Sequence, residues 1–365
     1  MVFPPMGTYG VCPLFERFGF ESYIGRGKIS IAKGMLEKKV NPSSRLAGRI
    51  YSCLLCKNCS KHCPNEVDVV KVVRAIREEL VKTGYGPPEN ISKIESSIEK
   101  EKNVFGDQKE KKADMASRLG LPGKGDTLYF AGCYATYRYP ETAKATVEIL
   151  RKADINVSYL GEDEWCCGIV ELQDGKRSLA TELMEHNLSK IKQSGAKQVV
   201  TSCAGCFHAL KSGYKEVLGD RPLDFEVLHI SQVLDNLIKN GKIKLSKPIG
   251  ASVTYHDPCK LGRYEGVFDE PRNSLKSIPA INLVEMKRNR ENAWCCGGGT
   301  VVYANDFDLS LDIANERIEE AKEAGVDLIV TTCPLCMTVL RQSAKKTGAK
   351  VDIYDLPVLI AESLS

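Results

Sequence analysis

The pattern of apolar and polar positions divides the chain into two unlike parts. From residue 125 onward, short apolar runs alternate with helix-length stretches in which apolar residues recur at helical spacing. These stretches predict helices, which include 141–151, 179–193, 232–238 and 309–324. The apolar runs predict strands at 127–131, 157–160, 198–201, 225–229, 251–255, 282–285, 328–331 and 351–354. Strands that alternate with helices of this length indicate parallel sheets covered by helices.

The part before residue 120 predicts helices only. Apolar residues at helical spacing predict a helix over 67–81, which Gly84 and a proline pair end. Residues 89–118 are rich in lysine and glutamate, and their sparse apolar positions predict a solvent-exposed helix that bridges two domains. The predicted domains are a mainly helical domain with its linker over 1–120, a first α/β unit over 125–245 and a second over 250–365.

The cysteines indicate that the α/β part arose by duplication. The first unit contains Cys133, Cys166, Cys167, Cys203 and Cys206. The second unit contains Cys259, Cys295, Cys296, Cys333 and Cys336, at offsets of 126 residues (133 to 259), 129 (166 to 295) and 130 (203 to 333 and 206 to 336). Both tryptophans of the chain directly precede a Cys-Cys pair. Such regular offsets mark an internal repeat. We call the two sets the first and second five-cysteine blocks.

Composition limits the function classes. With 43% hydrophobic residues the chain can bury a core without disulfide staples, so its 15 cysteines predict reduced thiols that hold metal. A net charge of +4 from 51 basic and 47 acidic residues favours neither a nucleic-acid partner nor a lipid surface. No signal peptide is recognised and no apolar run approaches the roughly 18 residues of a membrane span. A cytoplasmic protein is therefore expected.

The N-terminal part carries the ligand run of bacterial ferredoxins. Its sequence is Cys53-x2-Cys56-x2-Cys59-x3-Cys63-Pro64, and this spacing predicts a cubane 4Fe-4S cluster. In two-cluster ferredoxins, the fourth cysteine of each run ligates the other cluster. The fourth ligand of the single cluster is therefore not necessarily the cysteine that completes the run.

Cys12 and the proline after it have the form of the end of an earlier run. At the spacing of that run, positions 2, 5 and 8 hold valine, proline and threonine, none of which is a ligand. The topology rule then assigns the cubane cluster to Cys12, Cys53, Cys56 and Cys59. The competing assignment uses Cys63 in place of Cys12. The residues leave both assignments open.

Each five-cysteine block lies where ligands collect in α/β proteins. Its cysteines follow predicted strand ends, and open α/β sheets bind ligands at the carboxyl ends of their strands. Helix N-termini there favour anionic groups such as a cluster held by thiolates. Structural zinc takes four ligands, whereas five thiols with an adjacent pair suit an iron–sulfur cluster. Iron–sulfur clusters are therefore predicted, with zinc as the alternative.

The two blocks resemble the CCG domains of heterodisulfide reductase catalytic subunits. The motifs that carry the resemblance are His256-Asp257-Pro258-Cys259 and Trp294-Cys295-Cys296-Gly297. Together with the ferredoxin run they resemble the D-type subunit and, more distantly, the iron–sulfur subunits of glycolate and lactate oxidases. The resemblance implies two Rossmann-like units after a ferredoxin-like domain, with a non-cubane 4Fe-4S cluster on each block. It also implies that a disulfide substrate lies between the clusters, which would make all ten cysteines of the two blocks catalytic.

Three functions are compatible with these motifs. The first is an oxidoreductase subunit that reduces a small-molecule disulfide by one-electron steps at two non-cubane clusters, fed by the cubane cluster. The second is an electron-transfer subunit of a flavin dehydrogenase or larger reductase complex that has no substrate of its own. The third is a zinc-bound interaction scaffold. Since the chain shows no flavin-binding stretch, a flavoprotein (FAD) or a ferredoxin-like subunit is expected as its partner in a hetero-oligomeric complex.

Several residues outside the blocks are secondary candidates. They are His208, His229, His256, Asp257, Lys260, Arg138 and Arg263. The histidines and the aspartate are expected to order loops, with protonation of a leaving thiolate as the sharper alternative. The three cations are either neutralising groups for a cluster or substrate, or ordinary surface charges. The two tryptophans are expected to shield the clusters from water.

Overall fold

The protein, for which a computed structural model describes residues 10–219, 222–299 and 301–365, contains two separate four-stranded parallel sheets. The first sheet consists of β1 Thr127–Phe130, β2 Val157–Ser158, β3 Gln198–Thr201 and β4 Glu226–His229. The second consists of β5 Ala251–Tyr255, β6 Ile281–Leu283, β7 Leu328–Thr331 and β8 Asp352–Asp355. Every predicted strand is therefore present, although β2 is shorter than its apolar run.

Both sheets have the same strand order, which confirms the predicted fold class. The orders are β2-β1-β3-β4 and β6-β5-β7-β8, and all neighbouring strands pair in parallel. Phe130 at the end of β1 lies opposite Thr201 at the end of β3, and Thr201 lies opposite His229 of β4. Because these strands end level with one another, the loops that follow them leave from one edge of the sheet.

Helices surround both sheets and form the N-terminal domain. The bounds of the α-helices are α1 Pro13–Phe18, α2 Gly25–Leu36, α3 Ser44–Tyr51, α4 Asn58–Lys61, α5 Val69–Lys82, α6 Glu89–Glu101, α7 Glu110–Leu119, α8 Gly132–Tyr137, α9 Pro140–Lys152, α10 Ile169–Asp174, α11 Arg177–Ser194, α12 Ala204–His208, α13 Tyr214–Leu218, α14 Ile230–Lys239, α15 Gly262–Glu265, α16 Asp269–Lys276, α17 Val302–Asn305, α18 Phe307–Glu323, α19 Pro334–Thr347 and α20 Leu356–Ser363. A π-helical turn, Ala209–Gly213, joins α12 to α13. Among the described helices, none is long and apolar enough to cross a membrane.

The two α/β units share one hydrophobic core. Helix α9 of the first unit packs on α20 of the second, and α14 packs on α16, so equivalent helices meet in a reciprocal arrangement. Val147, Leu234, Leu275 and Ile360 from these helices belong to one buried apolar cluster. Burial of such side chains is worth about 1.5–3 kcal/mol each. This core fixes the orientation of one sheet relative to the other.

The N-terminal helices pack on the first α/β unit through a buried arginine. Arg77 of α5 has no exposed surface, and its guanidinium donates to the carbonyl oxygens of Gln173 at 2.8 Å, Cys53 at 2.7 Å and Ile50 at 3.1 Å. Such hydrogen bonds offset part of the free-energy cost of burying a cation. Arg77 therefore ties the ferredoxin-like loop to α10 of the first unit.

The prediction of one solvent-exposed helix over residues 89–118 is wrong. The segment forms two helices, α6 and α7, which bury Ile91, Ile98, Glu95 and Lys112. Ile91, together with the isoleucines three and seven positions later, makes a narrow helical stripe, and lysines and glutamates cover the remaining surface. Lys112 is buried because its ammonium group donates to the carbonyl oxygen of Glu164. The high charge of this segment therefore made its buried apolar face hard to recognise in the sequence.

Candidate metal centres

The cysteines of both blocks lie on loops at the carboxyl edges of the sheets. Cys133 and Cys259 follow the ends of β1 and β5, and the Cys-Cys pairs follow β2 and β6 after longer loops. Cys203 and Cys333 follow β3 and β7, and each is the N-cap residue of the next helix. The sheets thus bring together residues that are up to 203 positions apart in the sequence (133 to 336).

The two blocks line one common cavity. Its empty volume is about 850 Å³, with the space at its mouth included. The cysteines that line it are Cys133, Cys166, Cys167, Cys203, Cys206, Cys259, Cys295, Cys296, Cys333 and Cys336. Apolar side chains such as Val104, Ile169 and Leu335 form much of the remaining wall. The structure therefore brings together all ten residues that the sequence singled out here. We call this space the ten-cysteine cavity.

Thiol contacts connect the cysteines within each block and across the boundary between the blocks. The sulfur atoms of Cys296 and Cys336 are 3.2 Å apart. Cys203 of the first block and Cys333 of the second are neighbours, although they belong to different units. All fifteen cysteines are free thiols, so none of these contacts is a disulfide. The blocks thus form one continuous sulfur-lined wall.

Glycine is required directly after the second Cys-Cys pair. Gly297 has a φ of +80°, and a Cβ atom there would lie 2.1 Å from the carbonyl oxygen of Ser310. The following residue, Gly298, directs its amide at the sulfur of Cys296, with an N–S distance of 3.4 Å. Backbone amides can approach sulfur in this way because no side chain intervenes. The chain conformation after the cysteine pair therefore presents donors to the cavity.

A second cavity lies in the N-terminal domain. It has an empty volume of about 420 Å³, and four cysteines line it, namely Cys12, Cys53, Cys56 and Cys59. Cys63, which completes the ferredoxin run, is not among its lining residues in the described part of the chain. Burial raises the pKa of the Cys12 thiol to about 11 and that of Cys59 further. Metal binding at these thiols would therefore release protons. We call this space the four-cysteine cavity.

The two cavities are adjacent. Leu54 lines both of them, and the thiol of Cys56 lies next to that of Cys295 in the second block. Gly299 lies against Leu54, so that a Cβ atom at Gly299 would be 2.7 Å from the Leu54 Cα atom. The four-cysteine cavity thus abuts the second block directly.

Arg263 occupies the junction between the four-cysteine cavity and the second block. It is buried, and its Nε atom donates to the carbonyl oxygen of Cys56 at 2.7 Å, while a second nitrogen donates to that of Ala293. The neighbouring Tyr264 hydroxyl donates to the carbonyl oxygen of Leu55 at 2.6 Å. In the described part of the chain, the hydrogen bonds that the Arg263 guanidinium donates go to carbonyl oxygens. Its positive charge therefore acts on the nearby thiols, which include Cys56 and Cys295.

The two units fix their first cysteine loops with different acidic residues. In the first unit, the Glu164 carboxylate accepts hydrogen bonds from the amides of Ala131 and Gly132, both at 2.9 Å. In the second unit, Asp257 binds the guanidinium of Arg272 at 2.7 and 2.8 Å and accepts the amide of Arg290 at 2.8 Å. Asp257 thus has the ordering role that the sequence suggested for it. Glu164 is its functional counterpart, which the sequence analysis missed.

The three candidate histidines have different surroundings. His208 binds Glu265 of the other unit at 2.6 Å, and His229 contacts the Thr332 carbonyl oxygen at 3.1 Å, so both join the two units. Burial lowers the pKa of His208 to about 4 and that of His229 to about 3. His256 instead faces the cavity wall, where a ring nitrogen and the sulfurs of Cys296 and Cys336 lie within 4.8 Å of one another.

The remaining cations separate into cavity and surface residues. Lys260 lines the ten-cysteine cavity, and burial lowers its pKa to about 7. Arg138 is 41% exposed and pairs with Asp107 at 2.6 Å, as an ordinary surface charge would. The structure therefore places Lys260 at the site and Arg138 away from it.

The two tryptophans are not equivalent. Trp294 is buried, and the Arg288 guanidinium lies 3.9 Å from its ring centroid. Trp165 is only partly buried and stacks on His186, with ring centroids 3.5 Å apart. Trp294 therefore lies in a buried cluster with Cys295, whereas Trp165 is partly exposed. That the tryptophans shield the clusters from water stays a prediction.

Comparisons with known proteins agree with this architecture. Residues 127–211 and 253–341 match the family model of a cysteine-rich domain, and residues 9–67 match that of a 4Fe-4S dicluster domain. A solved structure of a hypothetical protein from Helicobacter pylori matches with a TM-score of 0.62 over 94% of this chain and 68% of that one. Its 11% sequence identity supports the fold alone.

Several curated proteins are similar along most of the chain. The D-type subunit of dihydromethanophenazine:CoB–CoM heterodisulfide reductase from Methanosarcina barkeri is 35% identical over 98% of this chain and 89% of its own length. The protein of the same name from Methanosarcina acetivorans is 38% identical over 86% and 78%. EtfAB:quinone oxidoreductase of Syntrophomonas wolfei is 31% identical over 86% of this chain but only 46% of its own length. With a 4Fe-4S domain followed by two cysteine-rich domains, the chain belongs to the family of D-type heterodisulfide reductase subunits, which are iron–sulfur oxidoreductases.

Proposed function

We propose that the chain reduces a small-molecule disulfide inside the ten-cysteine cavity. The observation that carries this proposal is that both blocks line one cavity and touch each other at Cys203 and Cys333. A disulfide has two sulfur atoms that must be separated, and a cavity with a complete sulfur set on each side suits that task. The heterodisulfide reductase relatives support the same reaction class.

We further propose one cluster for each cysteine set. The four-cysteine cavity would hold a cubane 4Fe-4S cluster on Cys12, Cys53, Cys56 and Cys59. Each five-cysteine block would hold a non-cubane 4Fe-4S cluster. The donor sets fit, because soft thiolates on short loops are the usual protein ligands of iron–sulfur clusters. When bound, these clusters supply electrons one at a time.

The residues around the cavity have two tasks in this reaction. Apolar residues such as Val104 and Leu335 keep water away from the reacting sulfurs, which strengthens local electrostatics. Lys260 lines the cavity and can offer a positive charge to a thiolate or to an anionic group of the substrate. Arg263 would stabilise added negative charge at the junction with the four-cysteine cavity.

The partner is proposed to dock on the N-terminal domain. The four-cysteine cavity abuts the second block through Leu54 and Cys56, so a donor on its outer side would have a short route inward. A flavoprotein that carries FAD, or a ferredoxin-like subunit, is the proposed donor in a hetero-oligomeric complex.

The domain limits at 120, 125, 245 and 250, and the cytoplasmic location, stay predictions.

The test begins with anaerobic analysis of iron and acid-labile sulfide. Three clusters require about 12 Fe per chain, whereas zinc without sulfide would contradict the proposal. A mixed disulfide is then added to the oxidised protein, and its electron paramagnetic resonance spectrum is recorded. We expect a new signal in the wild type and in Cys63→Ser, and its loss in Cys203→Ser. Absence of any change on disulfide addition would refute the substrate site.

A second candidate function is electron transfer without a substrate. The similarity to EtfAB:quinone oxidoreductase over 86% of this chain favours it. In that case a reduced partner would change the spectrum of the protein, but no disulfide would. The two functions are thus separated by one substrate addition.

A further inference from the structure

Three buried carboxyl groups lie next to the first five-cysteine block and have no role in the site described above. Glu171 and Asp174 belong to α10, the helix that follows the Cys166-Cys167 pair, and Glu95 belongs to α6. Their exposed fractions are 0%, 0% and 3%. Carboxyl groups are rarely buried to this extent unless a partner compensates for the lost hydration.

Much of their hydrogen-bonding capacity is unused. Both oxygens of Glu171, one of Asp174 (Oδ2) and one of Glu95 (Oε1) receive no hydrogen bond from a donor in the described part of the chain. The carboxyl groups of Glu95 and Asp174 lie next to each other. Burial and a like-charged neighbour both favour the protonated form of a carboxyl group.

The three carboxyl groups lead from the surface towards the first block. At the outer end, the Nζ atom of the partly exposed Lys176 lies 3.1 Å from the Glu95 carboxylate. Asp174 contacts Glu95, and Glu171 lies one helical turn away on α10. At the inner end, the charge of Glu171 acts on Cys166. The order is thus solvent, Lys176, Glu95, Asp174, Glu171 and the block.

Other charged and titratable groups also face this path, and the cations Arg77 and Lys176 oppose the effect of burial on the carboxyl pKa values. Arg77 of α5 uses its hydrogen bonds on carbonyl oxygens, and the Tyr51 hydroxyl donates to the Asp174 carbonyl oxygen. Glu99 of α6 adds negative charge near Glu95. Burial raises the pKa of Glu171 to about 8 and raises those of Asp174 and Glu95 as well.

The two blocks have different charged surroundings. Near the first block, the buried Lys112 faces Cys133, but Glu171 faces Cys166. At the second block, Arg263, a buried cation that donates to carbonyl oxygens, faces Cys259 and Cys295. An electron added at the second block is therefore offset by a fixed positive charge. Beside Glu171 an added electron raises the local negative charge, and uptake of a proton is the direct way to offset it.

We propose that Glu171, Asp174 and Glu95 carry protons from the surface at Lys176 to the first five-cysteine block, so that an electron enters this block together with a proton. The proposal rests on the proposed disulfide reduction for its consumption of protons. In that reaction the S–S bond breaks, the two sulfurs take up two electrons from a one-electron donor of the flavoprotein or ferredoxin class, and two protons complete two thiols. The path would supply protons to the sulfur released beside the first block.

The experiment compares three single variants of the full-length protein with its clusters. Glu171→Gln and Glu95→Gln keep the shape of the side chain but remove a proton carrier. Glu89→Gln is the matched control, since the Glu89 side chain is 84% exposed and lies at the start of the same helix as Glu95. Reduction potentials are titrated on both sides of pH 8, and disulfide turnover is measured with a chemically reduced viologen as donor. Infrared spectra in H₂O and D₂O record the protonated carboxyl bands of the metal-free chain.

We expect the wild type and Glu89→Gln to show a potential that falls as the pH rises, and a protonated carboxyl band. In Glu171→Gln the pH dependence should flatten, the band should weaken, and turnover should drop about tenfold or more, since general acids contribute about 10²–10⁴-fold. Glu95→Gln should slow turnover similarly, and the double variant should be no slower than Glu171→Gln, because the groups act in series.

The outcomes separate this proposal from the proposed function. One outcome is that the wild type reduces no disulfide while the pH dependence of its reduction potential is still lost in Glu171→Gln. In that case the proposed disulfide reduction is refuted and the proton path stands. If disulfide turnover and pH dependence are the same in Glu171→Gln as in the wild type, the proton path is overturned. Should Glu171→Gln fail to fold, Glu95→Gln decides, and wild-type turnover in that variant would overturn the path.

Discussion

Cys12 and Cys63 differ in their surroundings, although each is followed by a proline. Cys12 lines the four-cysteine cavity with the first three thiols of the ferredoxin run, and Cys63 does not. Lys28, buried at 1% exposure, also lines that cavity and donates to the Tyr23 carbonyl oxygen. The position of Cys12 in the wall of the four-cysteine cavity thus favours this residue as the fourth ligand, which is also the assignment of the two-cluster topology rule.

We predict that Cys12→Ser loses the N-terminal cluster, with about 4 Fe fewer per chain, and that Cys63→Ser keeps it. Serine is close in size to cysteine but is a poor ligand for iron–sulfur clusters. Iron and sulfide analysis of anaerobically purified variants checks this. The reverse pattern would establish Cys63 as the fourth ligand.

A second prediction at this scale concerns Arg263. Its replacement by glutamine removes a buried cation and hydrogen bonds to carbonyl oxygens of two domains, at Cys56 and Ala293. We expect the free energy of unfolding to fall by about 2–4 kcal/mol, because buried acceptors lose a charged donor. Urea unfolding measures it. Arg138→Gln, at an exposed ion pair, is the control and should cost less than about 1 kcal/mol.

At the scale of elements, the two α/β units repeat their strand order but not their local packing. The loop after each Cys-Cys pair begins with a glycine at a φ of +80°, Gly168 in the first unit and Gly297 in the second. A Cβ atom at Gly168 would meet the flexible Met184 side chain at 3.2 Å, whereas one at Gly297 would meet the backbone oxygen of Ser310 at 2.1 Å. Duplication therefore conserved the turn while helix packing diverged.

This difference predicts unequal costs for alanine at the two positions. Gly168→Ala should destabilise the fold by about 1–2 kcal/mol, the cost of a positive φ. Gly297→Ala should cost at least about 3 kcal/mol, because α18 must also move away from the loop. Denaturant unfolding of both variants measures the difference. Equal costs would mean that the contact between Gly297 and Ser310 relaxes without strain.

At the scale of the whole molecule, contacts between the units hold the two blocks at one cavity. His229 at the end of β4 reaches the Thr332 carbonyl oxygen beside Cys333, and the Thr142 hydroxyl donates to Asp355 at the end of β8 with a distance of 2.6 Å. His229 and Asp355 lie at the ends of β4 and β8, which are equivalent strands of the two sheets. They complement the shared apolar core and fix the distance between the blocks.

His229 predicts how stability depends on pH. Its folded pKa of about 3 lies below the ordinary value of 6.5, so the unfolded chain takes up a proton first as the pH falls. The stabilising contribution is complete above pH 6.5 and is lost as the pH falls towards 3, by about 1.4 kcal/mol per pH unit. Other buried groups titrate in the same range, so the measurement is the difference in unfolding free energy between the wild type and His229→Gln. A difference that is independent of pH would contradict this contribution.

The features of this protein that depend on spacing along the chain could be predicted from its order of residues alone. Alternating apolar runs predicted the strands and helices, and the regular offsets of the cysteines revealed the duplication and both blocks. The ferredoxin run predicted the N-terminal cluster motif. These features are local or periodic, so the order of residues contains them.

The features that depend on distant contacts became known from the folded structure. It showed that both blocks line one cavity, that Leu54 separates this cavity from the N-terminal one, and that Cys12 rather than Cys63 lines the latter. It also revealed buried Glu171 and Arg263, whose roles depend on neighbours far away in sequence and on the absence of water around them. Burial and charge compensation are properties of the packed molecule, and residue spacing does not encode them directly.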